Sequence, residues 1–196
     1  AMYRAVALYC ERMGISWENE SAVSEYVKKI KIRLVRPVGK KNDGRSVSVY
    51  LGDDDVSREI RNSHIAEGAS VVSTYPKVRK VLVKMQQVLA EGENVVMEGR
   101  DIGSRVLPQA QVKIFMTADV DTRVKRKWEF LEAQGIIMSK SQVKEDLMRR
   151  DEREMTRTVD PLKPLDDSWI LDTTGMEIDE VVRVVVERVR ELGIEE

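Results

Sequence analysis

The chain has one cysteine, Cys10, and one histidine, His64. A lone cysteine excludes an intramolecular disulfide framework and cysteine-based zinc ribbons or fingers. A lone histidine excludes a multi-histidine metal site. Aromatic residues make up only 5%, and Trp17, Trp128 and Trp169 are widely dispersed, so no stacking platform for single-stranded nucleic acid is expected. The longest apolar run, Ala5-Val6-Ala7-Leu8-Tyr9-Cys10, has six residues, against about 20 for a membrane-spanning helix. Basic and acidic side chains balance at 33 and 34, a net charge of -1. No global field therefore draws nucleic acid or an anionic membrane, and any anion site must be a local cluster of arginine or lysine. What is present is 42% hydrophobic and 34% charged residue in 196 positions, enough for one domain of ordinary size, or one domain carrying a small insert. The expectation is a reduced, cytoplasmic protein, soluble and monomeric, without a leader.

The chain opens Ala1-Met2-Tyr3-Arg4 directly into a helical pattern, with apolar residues at Met2, Ala5, Val6, Tyr9 and Met13 and a stop at Gly14. A second helix is predicted over residues 21–30. The period then changes. Ile32-Arg33-Leu34-Val35, the turn Asn42-Asp43-Gly44 and Val47-Ser48-Val49-Tyr50-Leu51 read as an antiparallel hairpin, making residues 31–55 a small β insert. Ser57 is placed to cap a short helix through Ile60. Pro76 suits the first position of an amphipathic helix with Val78, Val81, Leu82, Met85, Val88 and Leu89 on its face, ended by Gly92. Strands at Val95-Val96-Met97, at residues 112–116 and at Trp169-Ile170-Leu171 alternate with helices over residues 119–134, 141–157 and 178–192. Short apolar strands alternating with helices predict an α/β fold, a parallel sheet covered by helices on both faces.

Three groups of residues could carry chemistry. In Glu98-Gly99-Arg100-Asp101-Ile102-Gly103 an expected strand runs into a loop that holds an arginine and an acid between two glycines, with a second acid, Glu98, just before them. Ligands bind at such carboxyl ends of parallel strands, although a surface turn closed by an Arg–Asp ion pair would have the same signature. In Arg149-Arg150-Asp151-Glu152-Arg153-Glu154-Met155-Thr156-Arg157 a solvated face laced by pairs such as Asp146 with Arg150, or Arg150 with Glu154, is one reading. The other starts from Arg150, Arg153 and Arg157 at i, i+3 and i+7, which share a face and repel unless an anion meets them. With Val143 and Leu147 as its only core anchors this helix should be mobile, and an arginine-bearing lid suits phosphoryl transfer. Tyr3 and Arg4 open a helix, where a phosphate gains from free N–H groups; core packing of Tyr3 and solvation of Arg4 serve equally. Arg61, Ser70 and Arg79 read alone as ordinary surface residues, His64 as an exposed polar residue and Cys10 as core.

Taken in order, these residues resemble the bacterial cytidylate kinase family. The matching pieces are Ala1-Met2-Tyr3-Arg4-Ala5, Asp55-Val56-Ser57-Arg58-Glu59-Ile60-Arg61, Tyr75-Pro76-Lys77-Val78-Arg79, Met97 through Gly103, Val112-Lys113-Ile114-Phe115, Arg149-Arg150-Asp151 through Arg157, Pro161-Leu162 and Leu171-Asp172-Thr173-Thr174-Gly175. The resemblance implies a P-loop kinase fold with an antiparallel insert on the monophosphate-binding side and a helical lid at residues 139–167. The core would be residues 1–30, 56–138 and 168–196. It implies transfer of the γ-phosphoryl group of ATP, with Mg2+, to CMP or dCMP. Tyr3, Arg4 and Arg100 would hold the acceptor phosphate, Ser70, Arg79 and Asp101 would read the cytosine, and Arg150 with residue 154 would reach the ribose. Arg153 and Arg157 would attend the transferring phosphates, and Arg61 would stand among the substrate-binding residues.

Two departures accompany the resemblance. Position 154 is Glu where the family usually has Asp, so the acid reaches further and sugar preference is open. No Gly-x-x-x-x-Gly-Lys-Ser/Thr occurs: the only Gly-Lys pair, Gly39-Lys40, is followed by Lys41 and has Leu34 in place of the first glycine. The family carries that loop in a strand–loop–helix unit of about 30 residues ahead of the segment matching Ala1, so the chain is expected to lack its natural N-terminus, and no residue is assigned to the donor phosphates. The rival readings are a non-catalytic nucleotide-binding module, a kinase of relaxed UMP/CMP specificity, and nucleic-acid binding through the Arg149–Arg157 helix, which balanced charge and scarce aromatics disfavour.

Overall fold

A computed structural model describes residues 1–37, 45–133 and 135–194. The chain divides into two compact units, Ala1–Met97 and Glu98–Glu196. The first is built around helix α1, Met2–Arg12. This helix is not one-sided as its periodicity suggests. Met2, Val6 and Cys10 join Val23, Val27, Ile30, Val72, Val78 and Leu82 in one cluster, while Ala5, Ala7 and Leu8 face Val49, Val56, Ile60, Ile65 and Ala69 in another. Tyr9 is half-buried and Met13 is exposed. Gly14, at φ +67°, closes the helix: its N–H donates to Glu11 O at 3.0 Å and the Ile15 N–H donates to Cys10 O at 2.8 Å, the Schellman arrangement that a residue without Cβ allows. Cys10 is the core residue expected, and burial pushes its thiol from an ordinary 9.0 up to about 11.

Helix α2, Glu20–Tyr26, is capped by Asn19 Oδ1 accepting from the Ala22 N–H at 3.1 Å, and runs into a 3-10 turn at Val27–Lys29. The insert is a three-stranded antiparallel sheet rather than a two-stranded hairpin. Strand β1, Ile32–Val35, pairs with β2, Ser48–Leu51, and β2 pairs with β3, Asp54–Asp55. The expected turn at 42–44 lies outside the described residues. Ser57 does not cap a helix: its hydroxyl accepts from the Val49 N–H at 2.8 Å and donates to Asp55 Oδ1. A sheet N–H has taken the acceptor, and the following 3-10 turn is Glu59–Arg61.

Helix α3, Ser63–Val72, has no counterpart in the sequence reading. Asn62 caps it, with Oδ1 accepting from the His64 N–H at 3.0 Å. Its buried positions Ile65, Ala69 and Val72 keep helical spacing, but small residues weaken the signal. His64 is exposed, as expected, lying against Trp17 and 3.0 Å from Glu11 Oε1. Helix α4, Pro76–Ala90, starts on the proline as predicted and buries Val78, Arg79 and Leu82; the far end of its apolar stripe, Val88 and Leu89, is exposed. Val95-Val96-Met97 forms no strand, and Val96 is fully exposed. A strand exists through its ladder bonds, and among the described residues nothing pairs with this segment.

In the second unit strand β4, Ile114–Thr117, pairs in parallel with β5, Trp169–Asp172, in the register Ile114↔Trp169 to Thr117↔Asp172. Helix α5, Val120–Ala133, lies against α6, Lys140–Thr156, through Val124, Leu131 and Val143 with Trp128 and Met138. Ser139 and Gln142 form a capping box at the start of α6. Helix α7, Ile178–Glu191, buries no residue. An α/β chain with one parallel pair and one antiparallel sheet is the class its alternating pattern predicts.

Two tests follow from this packing. An added Cβ at Gly68 would lie 2.4 Å from the Trp17 ring, and that ring is held by its N–H donating to Ala7 O at 2.9 Å. Gly68→Ala should lower stability by about 1–3 kcal/mol in a chemical melt. The Cys10 thiol favours its neutral form when folded, so its contribution is complete below pH 9 and declines as pH rises toward about 11. Cys10→Ala should flatten that part of a stability-versus-pH curve.

Candidate active site

The loop after Met97 turns on Asp101. Its carbonyl accepts the N–H groups of Arg105 at 2.9 Å and Val106 at 3.4 Å, making the π-helical turn Ile102–Val106. The flanking glycines serve packing. A Cβ at Gly99 would meet Ile102 Cγ1 at 2.8 Å, and one at Gly103 would meet Leu165 and Lys113 at 3.2 and 3.3 Å. Asp101 is only 4% exposed. Arg100 forms no turn-closing pair with it: the Arg100 Nε lies 2.8 Å from Glu154 Oε2, on α6.

Glu154 is the centre of this unit's charge. Its side chain is 8% exposed, while those of Arg100 and Arg150 are 47% and 46% exposed. The Arg150 Nε donates to Oε1 at 2.8 Å, the i,i+4 pair expected; the Oε2–Arg100 contact is an ion pair without hydrogen-bond alignment. Asp146 pairs with Arg149 instead of Arg150. The shared face of Arg150, Arg153 and Arg157 is broken, because α6 ends at Thr156 and Arg157 takes an extended conformation. Its Nε donates to Asp160 O at 2.7 Å. Asp160 has φ +49°, the one described non-glycine residue in the left-handed region, and its carboxylate pairs with the Arg105 Nε. The Leu162 N–H returns to Glu154 O at 2.9 Å, closing the loop onto the helix. Arg153 is half-buried, and its side chain makes no hydrogen bond or ion pair with any described residue.

Two arginines of α5 went unnoticed in the sequence. Arg123 clasps Asp151 of α6 with its two terminal nitrogens at 2.7 and 2.8 Å. Arg126 donates to Thr173 Oγ1 at 2.9 Å, Thr173 O at 2.7 Å and Met176 O at 2.8 Å, tying α5 to the end of β5. The only signal for them was the Leu171-Asp172-Thr173-Thr174-Gly175 block. Beside it Asp119 accepts from the N–H and hydroxyl of Thr122 at 2.7 and 2.8 Å, bonds that hold its carboxyl below the usual range.

In the first unit, Arg79 is no surface residue. It is 3% exposed, donates to Ser73 O at 3.1 Å and has its guanidinium 6.0 Å from the Tyr3 ring. Arg4 donates to Ile60 O at 3.0 Å, next to the exposed Arg61. The Ser70 hydroxyl is buried and has no hydrogen-bond partner among the described residues. Each unit thus gathers its own share of the expected residues: Tyr3 with Arg79, and Arg100 and Arg150 on Glu154.

The fold class is that of the P-loop nucleoside monophosphate kinases, to which the family matching this sequence belongs. The cytidylate kinase family matches residues 1–191. A cytidylate kinase of Caldanaerobacter subterraneus subsp. tengcongensis is 42% identical over 190 residues, 97% of this chain and 80% of that protein. One of Thermotoga maritima is 38% identical over 192 residues, 97% of this chain and 83% of its own length, and one of Bacillus pumilus is 39% identical, covering 95% and 80%. The chain belongs to the cytidylate kinase family.

The left-handed backbone at Asp160 suits Asn or Gly but not a β-branched residue. Asp160→Val should lower the melting midpoint by an amount equivalent to about 1–3 kcal/mol, while Asp160→Asn should stay near wild type.

Proposed function

We propose that the protein transfers the γ-phosphoryl group of ATP to CMP or dCMP, giving CDP or dCDP, by direct in-line displacement without a covalent enzyme intermediate. The observation that carries this reading is the family match over residues 1–191, and the buried acid with its arginines supports it. Tyr3, Arg4 and Arg100 take the acceptor phosphate. Ser70, Arg79 and Asp101 read the base. The Ser70 hydroxyl lacks a partner, as a group awaiting a ligand does. Asp101 is almost fully desolvated, so a carboxylate there accepts from the exocyclic amine of cytosine and repels the carbonyl that uracil carries in its place. Arg150, with Glu154, stands on the ribose side, and Arg61 borders the acceptor site.

Arg153 and Arg157 neutralise charge on the three equatorial oxygens of a loose transition state. Arg153 is unpaired among the described residues and has its donors to give. Residues 139–167 are the lid, residues 31–55 the monophosphate-side insert, and residues 1–30, 56–138 and 168–196 the core. Among the described residues no cluster of three His, Cys, Asp or Glu could hold a metal. Mg2+ bound with ATP would supply charge neutralisation at the transferring phosphoryl group, and no side chain of this chain is assigned to it. The protein works as a cytoplasmic monomer; no described helix is long and apolar enough to cross a membrane.

The full-length protein should phosphorylate CMP roughly a hundredfold or more faster than UMP, measured as kcat/KM. Equal rates would remove Asp101 as base reader. Arg157→Ala should lower kcat by about a thousandfold, and a wild-type rate in that variant would take Arg157 out of the site. Binding of CMP without turnover of ATP by the full-length protein would leave a non-catalytic nucleotide-binding module.

A further inference from the structure

The function proposed above puts Arg157 on the transferring phosphates, yet α6 does not direct it. The helix ends at Thr156, and Arg157 follows in an extended conformation. Its Nε donates to Asp160 O at 2.7 Å, an anchor that no helix supplies. Asp160 is itself fixed from a distant part of the chain. Its carboxylate, 10% exposed, pairs with the Nε of Arg105, 55 residues earlier. Arg105 belongs to the π-helical turn Ile102–Val106, and its N–H donates to Asp101 O at 2.9 Å. Just beyond, the Leu162 N–H on Glu154 O at 2.9 Å holds the chain to α6. A left-handed residue, at φ +49°, is thus gripped at its side chain and used at its carbonyl. Backbone of that kind persists where its surroundings over-determine it.

One acid between two arginines leaves a choice of partner. The Asp160 carboxylate is mostly out of solvent, and a charge so placed needs a cation. While Arg105 supplies it, Arg157 is held at the carbonyl of the same residue. Take Arg105 away, and the cation already bonded to Asp160 is Arg157. We propose that Arg105 is a positioning residue for phosphoryl transfer: by holding the Asp160 carboxylate it keeps that acid from capturing Arg157, which the Asp160 carbonyl aims. In this role Arg105 touches no substrate and acts through Arg157. The inference rests on the function proposed above, and within it on Arg157 as the group that neutralises charge in the transition state.

The test is Arg105→Met in the full-length protein, which keeps an unbranched stem and removes the charge. Wild-type turnover of CMP and the loss in Arg157→Ala are measured first. Failure of either removes the proposed function, or the place of Arg157 in it, and this proposal falls with it. With both in place, Arg105→Met should lower kcat about tenfold, the cost of a misplaced donor, at an unchanged KM for CMP. A second substitution should undo the first. Asp160→Asn suits the left-handed backbone and carries no charge to capture Arg157. The double variant, Arg105→Met with Asp160→Asn, should therefore recover kcat to within about threefold of wild type. Rates are read well below each variant's melting midpoint, since a merely structural pair would lower the midpoint and leave kcat alone. A wild-type kcat in Arg105→Met overturns the proposal. So does a double variant as slow as the single one, which would make the lost bond, not the released charge, the cause. Should Arg105→Met not fold, Arg105→Gln carries the same two-step test, because it keeps a donor for the carboxylate and loses only the charge.

Discussion

Glu154 and the arginines on it show how residues 98–196 are held. Apolar burial is sparse there: Val106, Val124, Leu131, Val143 and Leu171 are its buried hydrophobic side chains among the described residues, and α7 contributes none. Cohesion passes to guanidinium groups. Arg123 clasps α5 to α6 and Arg126 ties α5 to the end of β5. Arg100 and Arg150 lock the loop after Met97 to α6, and Arg105 and Arg157 converge on Asp160. A planar guanidinium with five donors can satisfy several buried or half-buried acceptors at once, which a lysine could not do in its place.

Under the function proposed above, the same arginines would also meet the anionic substrate. A hydrocarbon core fixes side chains and offers nothing to an anion. Arg100 and Arg150 meet a buried acid through Nε while about half of each side chain stays in solvent. Guanidinium groups gather on a few acceptors within this unit, so the -1 net charge of the sequence says little about the local field. The first unit divides these duties differently. Its two clusters around α1 supply cohesion, leaving Arg79, Tyr3 and Arg4 as polar groups set into an apolar frame.

Much of the fold was legible because the determinants are local. Gly14, Pro76, Gly92 and Gly193 punctuate helices through backbone geometry alone, and the elements α1, α4, α7, β1, β2, β4 and β5 fall within a few residues of their predicted places. The failures share a cause. Ser57 was read as a helix cap by its neighbours, yet the Val49 N–H, brought to it by the sheet, claims its hydroxyl. Val95-Val96-Met97 has strand composition, but pairing is a property of two segments. Helix α3 is written in small residues because Gly68 must admit the Trp17 ring, and that requirement is invisible in a window of ten residues. The face shared by Arg150, Arg153 and Arg157 assumed that α6 continues; it ends at Thr156 and Asp160 turns the chain.

The candidate site divides along the same line. By itself the sequence determined which chemistry is available: arginines in number, acids beside them, one thiol destined for the core, and family motifs in order. Spacing also determined the Arg150–Glu154 pair, since i and i+4 meet on any helix. Only the tertiary structure decided that Arg100 leaves its neighbour Asp101 for Glu154, that Arg79 is buried beside Tyr3, and that Arg123 and Arg126 hold α5 in place. Each of those choices depends on the distance between segments far apart in the chain, and a guanidinium settles on whichever acceptor the packing brings within about 3 Å.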